Sequence, residues 1–228
     1  MRRFLRGLAR LGSLFKMKSF FLAVLAIVGG GWAARAADTT LFEQNFESVE
    51  AGALPKEFLP LAGEFQVRVE GGNHLVELPG SPLDTYGALF GPSHGDSGVV
   101  EGRFRGTKQG RKFPTFGISL RGAGGYRLQV SPGKGQLEIY KGDEPLVGVP
   151  FTWESGSWTW LRLSLRKAAQ GSGWLVEGWV WKEGEKPPQE ASVKLDLSGD
   201  PAAGRAAIWG SPYAGTPIYF DDLKWVSR

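Results

Sequence analysis

Trp158–Arg166 reads WTWLRLSLR, and this stretch decides the fold because apolar and polar residues alternate along it. Its three leucines fall on one face of an extended chain, whereas Arg162 and Ser164 fall on the other. Trp174–Lys182 (WLVEGWVWK) follows after a polar turn and predicts the partner strand of a β-hairpin. The two strands together predict an antiparallel sheet with one buried face.

The same alternation recurs along the chain after Asp38. About a dozen strands joined by turns predict an all-β fold, an antiparallel two-sheet β-sandwich. The 34 glycines and 14 prolines suit such turns, and helical periodicity is absent beyond the first 37 residues. The other predicted strands are Leu41–Glu47, Glu64–Glu70, His74–Leu78, Val99–Arg105, Phe116–Arg121, Tyr126–Val130, Gln136–Lys141, Ala191–Leu197, Arg205–Trp209 and Ile218–Val226.

The last predicted strand changes phase part of the way along. Ile218 and Phe220 share one parity, whereas Leu223 and Trp225 share the other. Either a β-bulge shifts the phase between the two pairs, or both faces of this strand are covered.

Residues 1–36 have the pattern of a secretory signal peptide. Seven basic residues and no acidic residue precede Asp38, the apolar core Phe20–Val28 is short, and Ala34–Ala36 supplies small residues for cleavage. Met17 is a second candidate for the start of translation, and an uncleaved membrane anchor is the alternative to cleavage. We expect an exported protein, periplasmic or secreted.

The remaining residues, 38–228, have the length of one domain. Without the leader, 20 of the 27 basic residues stand against 23 acidic ones, so the formal charge changes from +4 to −3. Nucleic acid is therefore not an expected partner. The absence of cysteine excludes disulfides and thiol nucleophiles, and no phosphate-binding loop indicates an organic cofactor. The oligomeric state stays open.

Five short motifs resemble one family. Phe42–Glu47 (FEQNFE), Gly52–Pro55 (GALP) and Ile218–Leu223 (IYFDDL) are similar to the first and last strands of concanavalin A-like (laminin G/lectin-type) jelly rolls. Tyr126–Val130 (YRLQV) and Ser157–Leu163 (SWTWLRL) resemble the middle of exported bacterial members. The resemblance implies the fold, but such sandwiches serve lectins, glycosidases, lyases and interaction modules alike.

A catalytic constellation is not evident, so we assign no catalytic residue. The related β-glucanases carry Glu-x-Asp-x-Glu on one strand, and this triplet is missing here. His74 and His94 are the only histidines. His94 falls in Gly91–Gly98, which its composition predicts to be a loop in which Ser and Asp form turns rather than a nucleophilic triad.

Four tryptophans and three arginines are the candidate ligand-binding residues. Indole rings on alternate positions of two strands can stack on sugar rings, or they can pack as core between sheets. Arginines on strand faces can bind carboxylate or sulfate groups, or they can form ordinary cross-strand pairs with glutamate. The candidates are Trp158, Trp160, Trp179, Trp181, Arg121, Arg127 and Arg162.

A structural Ca²⁺ ion is the candidate cofactor that the resemblance implies. Jelly rolls of this type often hold calcium between their first and last strands, through carboxylate and carbonyl oxygens. Glu43, Glu47, Asp221 and Asp222 lie on the corresponding strands of this chain.

The function that we expect is non-catalytic binding of a polysaccharide or cell-surface glycan through the concave sheet and its loops. Two alternatives remain open at this point. One is a glycoside hydrolase or polysaccharide lyase with an unrecognised site, and the other is a structural or protein-interaction module of the envelope.

Overall fold

The computed structural model describes residues 38–82, 84–212 and 215–228. The predicted signal peptide and Met17 lie outside these residues. The described residues form sixteen strands and no helix, so that none of them belongs to a helix long and apolar enough to cross a membrane. The strands are β1 Thr39–Gln44, β2 Gly52–Ala53, β3 Phe58–Ala62, β4 Gln66–Glu70, β5 Asn73–Leu78, β6 Tyr86–His94, β7 Gly98–Gly106, β8 Thr115–Leu120, β9 Tyr126–Ser131, β10 Gln136–Lys141, β11 Glu144–Pro150, β12 Thr159–Lys167, β13 Trp174–Lys182, β14 Val193–Leu197, β15 Gly204–Ser211 and β16 Ile218–Ser227.

Two antiparallel sheets contain these strands, which confirms the predicted fold class. The nine-stranded sheet has the order β14-β13-β12-β7-β16-β5-β4-β2, with β1 paired to β16. The seven-stranded sheet has the order β11-β10-β9-β8-β15-β6-β3. One apolar cluster draws its buried side chains from strands of both sheets, so each sheet has one face towards the core and one outer face.

The hairpin predicted from the tryptophan-rich stretch is confirmed as β12 and β13. Leu163 pairs with Gly178, and Trp160 pairs with Trp181. The leucines of β12 are buried in the core, so Trp160 and Arg162 point to the outer face of the sheet. Gly178 allows the two sheets to pack closely at this point, because a Cβ there would lie 2.4 Å from Leu128 Cδ1 in the other sheet.

The phase change in β16 is a β-bulge. The pairing of β16 with β7 shifts register between Asp221 and Lys224, and Asp222 has a φ of 50°. The four apolar residues that changed parity are all buried, which they can be only because the extra residue turns the strand. This bulge also places Asp221 and Asp222 on the outer side of the sheet, where they meet β7.

Four strands escaped prediction. β2, β3, β6 and β11 contain prolines or glycines that obscure the alternation, and β6 continues through Gly91 and Pro92 to His94. The interpretation of residues 91–98 as a loop is therefore wrong for residues 91–94. Conversely, β1 ends at Gln44 rather than Glu47, because Phe46 has a φ of 60° and its N–H donates to Gln44 Oε1 at 2.8 Å.

Candidate functional site

The four candidate tryptophans lie together on the outer side of the nine-stranded sheet, which we call the tryptophan face. Three lie on β12 and β13, and Trp158 comes directly before β12. The rings of Trp160 and Trp181 stack in parallel, with centroids 5.8 Å apart and an interplanar angle of 3°. Trp181 is 6% exposed, whereas Trp160 is half-buried. The structure thus brings together the tryptophans that the alternation predicted.

Arginine side chains cover part of this aromatic surface. Arg162 Cζ lies 5.1 Å from the ring centroid of Trp181, and the Arg162 guanidinium also pairs with Glu101. Arg103 and Arg105 lie 4.8 and 4.9 Å from the ring centroid of Trp158. The rings of Trp158 and Trp181 therefore both make cation–π contacts with arginines of the protein.

Arg103 is the centre of an ion-pair network that the sequence did not reveal. It pairs with Asp221 at 2.7 Å, Asp222 at 2.8 Å and Glu183 at 3.4 Å. Asn73 Nδ2 donates to Asp221 at 2.9 Å. Burial and the neighbouring Asp221 carboxylate raise the pKa of Asp222 above its ordinary value.

The four carboxylates that the sequence analysis predicted as calcium ligands do not fit a calcium site. The Arg103 guanidinium is bound to Asp221 and Asp222, and Lys224 Nζ pairs with Glu43 at 3.0 Å. Glu47 Oε1 accepts from the backbone N–H of His74 at 3.3 Å. Within residues 38–82, 84–212 and 215–228, no group of three or more His, Cys, Asp or Glu side chains is placed to hold a metal ion.

A polar cavity of about 640 Å³ lies beside Trp160. It opens where the end of β1 approaches β7, β12 and β16. Its acidic side chains face cations of the protein, since Glu101 pairs with Arg162 and Asp222 with Arg103. The Trp160 N–H donates to Glu183 Oε2 at 2.7 Å, which holds the indole in place. The lining residues are Glu43, Gln44, Asn45, Ser48, Glu101, Trp160, Asp222, Leu223 and Lys224.

The candidate arginines do not form one array, because the structure divides them between the two sheets. Arg162 lies on the tryptophan face, whereas Arg127 lies on β9, on the outer face of the seven-stranded sheet. Arg121 follows β8, and its Nη2 donates to the carbonyl oxygens of Gly95 and Asp96, each at 2.8 Å. Burial lowers the pKa of Arg121. These contacts explain Arg121 as a residue that holds a loop.

The histidines make structural contacts. His74 Nδ1 lies 2.8 Å from the carbonyl oxygen of Val49. His94 Nε2 lies 2.9 Å from Ser227 Oγ, and Ser97 Oγ instead accepts from the backbone N–H of Lys167. His94 and Ser97 are therefore not hydrogen-bonded to each other as the members of a nucleophilic triad would be, although residues 91–98 contain the residue types of such a triad.

The two sheets and their strand order define a concanavalin A-like jelly roll. Known structures share this fold. The carbohydrate-binding module CBM66 from Bacillus subtilis has a TM-score of 0.51 and 10% identity, over 75% of this chain and 96% of the module. The PL-14 alginate lyase from Aplysia kurodai has a TM-score of 0.58 and 10% identity, over 83% of this chain and all of the lyase.

A third structure with this fold is the carbohydrate recognition domain of Emp46p in a metal-free form. Its TM-score is 0.56 and its identity 12%, over 82% of this chain and 94% of the domain. No family model matches the sequence, and no curated protein matches it. At these identities the likeness shows the fold alone.

The cavity was missed at the level of sequence. Its residues come from four segments of the chain, each more than 50 positions from the next. Of these residues, Trp160, Glu43 and Asp222 were candidates from the sequence, and Glu43 and Asp222 were candidates for a different role. Glu101 and Arg103 alternate on β7 in a way that indicates an outer face. Their pairing across β12 and β16 depends on sheet order, which the alternation does not specify.

Proposed function

We propose that this protein binds a carbohydrate without chemical conversion, and that the cavity beside Trp160 is the site. The observation that supports this most is the combination of a half-buried indole with a polar cavity of about 640 Å³. That volume is in the range of small-molecule sites. Sugars present apolar C–H faces and a ring of hydroxyl groups, and an indole beside carboxylate and amide groups complements both.

The charge balance of the cavity favours a neutral sugar over an ionic ligand. Three carboxylates line it, and each has a cationic partner within the protein, as the pairs of Glu43, Glu101 and Asp222 demonstrate. Paired carboxylates still accept hydrogen bonds from hydroxyl groups, since each oxygen has two acceptor sites. We therefore infer that hydroxyl recognition, rather than charge, gives the site its specificity.

Two neighbours in structure support the class of ligand. CBM66 and the Emp46p domain are both described as carbohydrate-binding or carbohydrate recognition domains. We extend this to a polysaccharide or cell-surface glycan outside the cytoplasm, as the export signal in residues 1–36 predicts. Trp181 belongs to the site as the ring on which Trp160 stacks, whereas Trp158 and Trp179 lie outside the cavity lining.

A polysaccharide array with tryptophan variants tests the proposal. Trp160→Ala removes the stacking surface and is expected to weaken binding at least tenfold, and Trp181→Ala is expected to weaken it by removing the support of Trp160. Trp179→Ala is the matched control on the same face and leaves binding within about twofold. Glycan binding that survives both Trp160→Ala and Trp181→Ala, or an array without any binding, contradicts the proposal.

Hydrolysis is the second candidate function, because of one observation in the same cavity. The pKa of Asp222 is raised, and raised carboxylate pKa values are common in catalytic acids. Glu101 is a second carboxylate in the lining. Release of reducing sugar from a bound polysaccharide, lost in Asp222→Asn, supports hydrolysis. Binding without any product supports the non-catalytic function.

A further inference from the structure

The outer face of the seven-stranded sheet has an unusual composition around Arg127, and we call it the Arg127 face. Small residues occupy the positions beside Arg127 and Trp209: Ser119 pairs with Arg127, and Gly117 and Gly87 pair with the two sides of Trp209. A Cβ on Gly87 would lie 2.6 Å from the Trp209 ring. The side chains of Arg127 and Trp209 therefore pack flat over the small residues of the neighbouring strands instead of extending into solvent.

Arg127 is held between two aromatic rings. β10 and β15 lie on opposite sides of β9 in the sheet, so Tyr140 and Trp209 flank the guanidinium from both sides. Arg127 Cζ lies 5.0 Å from the Tyr140 ring centroid and 5.1 Å from that of Trp209. The Trp209 N–H in turn donates to Ser119 Oγ at 2.8 Å, which fixes the ring. Contacts within the sheet thus fix the position of the Arg127 guanidinium.

This buried cation has one long ion pair among the described residues. Its side chain is 7% exposed, and its Nε makes no hydrogen bond. Its Nη2 lies 3.9 Å from Oδ1 of Asp143, whose side chain is 99% exposed, so the charge of Arg127 is only weakly compensated. Glu138 lies on the neighbouring strand, but its two oxygens are engaged by Lys134 Nζ at 2.9 Å and Tyr140 Oη at 3.1 Å. Burial lowers the pKa of Arg127, as expected for a poorly compensated charge.

We propose that the Arg127 face binds the carboxylate of an acidic sugar, with the Arg127 guanidinium as its charge partner. A buried guanidinium whose only carboxylate partner is the exposed Asp143 at 3.9 Å is poorly compensated, and an external carboxylate provides a closer opposite charge. Guanidinium and carboxylate match in a planar, two-bond geometry. The two rings hold Arg127 in place before the ligand arrives, which reduces the entropy lost on binding.

Hydroxyl-binding groups beside Arg127 favour a uronic acid over a simple organic acid. Gln129 lies two positions along β9 and donates from Nε2 to Ser131 Oγ at 3.0 Å. Tyr140 and Glu138 continue this polar row on β10. Amide, hydroxyl and carboxylate groups in one row suit the hydroxyls of a sugar that carries its charge at one position. This site is on the opposite sheet from the cavity beside Trp160, so the two proposals stand independently.

Tryptophan fluorescence and calorimetry with trigalacturonate test the proposal, with maltotriose as the neutral trisaccharide of the same length. Trigalacturonate is expected to bind at least tenfold more tightly than maltotriose. Arg127→Gln is expected to lose this difference, whereas Arg166→Gln, on the other sheet, keeps it. Equal binding of the two trisaccharides, or trigalacturonate binding that is unchanged in Arg127→Gln, overturns the proposal.

The melting midpoint separates binding from a structural role of Arg127. Arg127→Met keeps much of the length of the side chain and removes the weakly compensated charge, so we expect its midpoint to rise by about 2–4 °C while trigalacturonate binding is lost. A lower midpoint identifies Arg127 as a stacking residue and overturns the proposal. Trigalacturonate binding that persists in Arg127→Gln and is lost in Trp160→Ala locates the trisaccharide in the cavity on the other sheet and overturns the proposal.

Discussion

Replacing Arg103 by methionine is expected to destabilise the protein strongly, because it leaves Asp221 as a buried carboxylate without a cation. Asp221 is 1% exposed and loses its ion pair of 2.7 Å. Its remaining donors are Asn73 Nδ2 at 2.9 Å and the backbone N–H of Asp222 at 2.8 Å. Removing one partner of a buried pair costs about 3–5 kcal/mol. For a domain of this size, that lowers the melting midpoint by roughly 6–20 °C.

Urea unfolding followed by circular dichroism measures this loss of stability. Lys182→Met is the matched control: Lys182 pairs with Glu154 at 3.1 Å, but both side chains are about half exposed, so less than about 1 kcal/mol is expected. Combining Arg103→Met with Asp221→Asn removes the orphaned charge and is expected to recover at least half of the loss. If Arg103→Met is as stable as its Lys182→Met control, the buried pair does not hold the bulge of β16, and the reasoning fails.

Three further predictions concern packing, metal and pH. Gly178→Ala is expected to lose about 1–3 kcal/mol in urea unfolding, because its Cβ would lie 2.4 Å from Leu128 Cδ1. EDTA is expected to leave the melting midpoint unchanged, because Asp221 and Asp222 are paired with Arg103. A midpoint that falls when EDTA is added would instead indicate a structural calcium ion. Burial opposes ionisation of Glu138, but hydrogen bonds from Ser131, Lys134 and Tyr140 outweigh it and lower its pKa. The stability that this carboxylate contributes is therefore complete above its unfolded pKa of about 4.3 and is lost as the pH falls through its lower folded pKa. Unfolding of Glu138→Gln across pH 2–6 checks this, since its stability difference from the parent should shrink at the acid end.

The alternation of β12 was sufficient to predict the hairpin with β13 and the strand face that the tryptophans share, but it left open whether that face lies in the core or on the outside. Side chains on a strand alternate with a period of two whatever the neighbours are, so local sequence carries this information. The phase change in β16 indicated either a β-bulge or a strand covered on both faces, and the structure shows the bulge. β2, β3, β6 and β11 were missed because their prolines and glycines break the pattern, although the partner strands still hold them in a sheet.

Arginine pairing illustrates what local sequence does not carry. Arg127 and Arg162 have similar surroundings on their own strands, and both were candidate ligand-binding residues. The chain order places β9 in one sheet and β12 in the other, so the two side chains lie on opposite outer faces. Arg162 pairs with Glu101 there, whereas Arg127 contacts the rings of Tyr140 and Trp209. The carboxylate that pairs with Arg127 is that of the exposed Asp143, at 3.9 Å.

The amino-acid sequence by itself determined that this chain forms strands, which side chains share a strand face, and where the phase of β16 changes, because these properties depend on neighbours along the chain. The tertiary structure alone decided which strands lie side by side. That choice placed Trp160, Glu101 and Asp222 around one cavity, and it left Arg127 buried between two rings. The physical reason is that charge pairing and cavity shape depend on contacts across strands, which the alternation of a single strand does not encode.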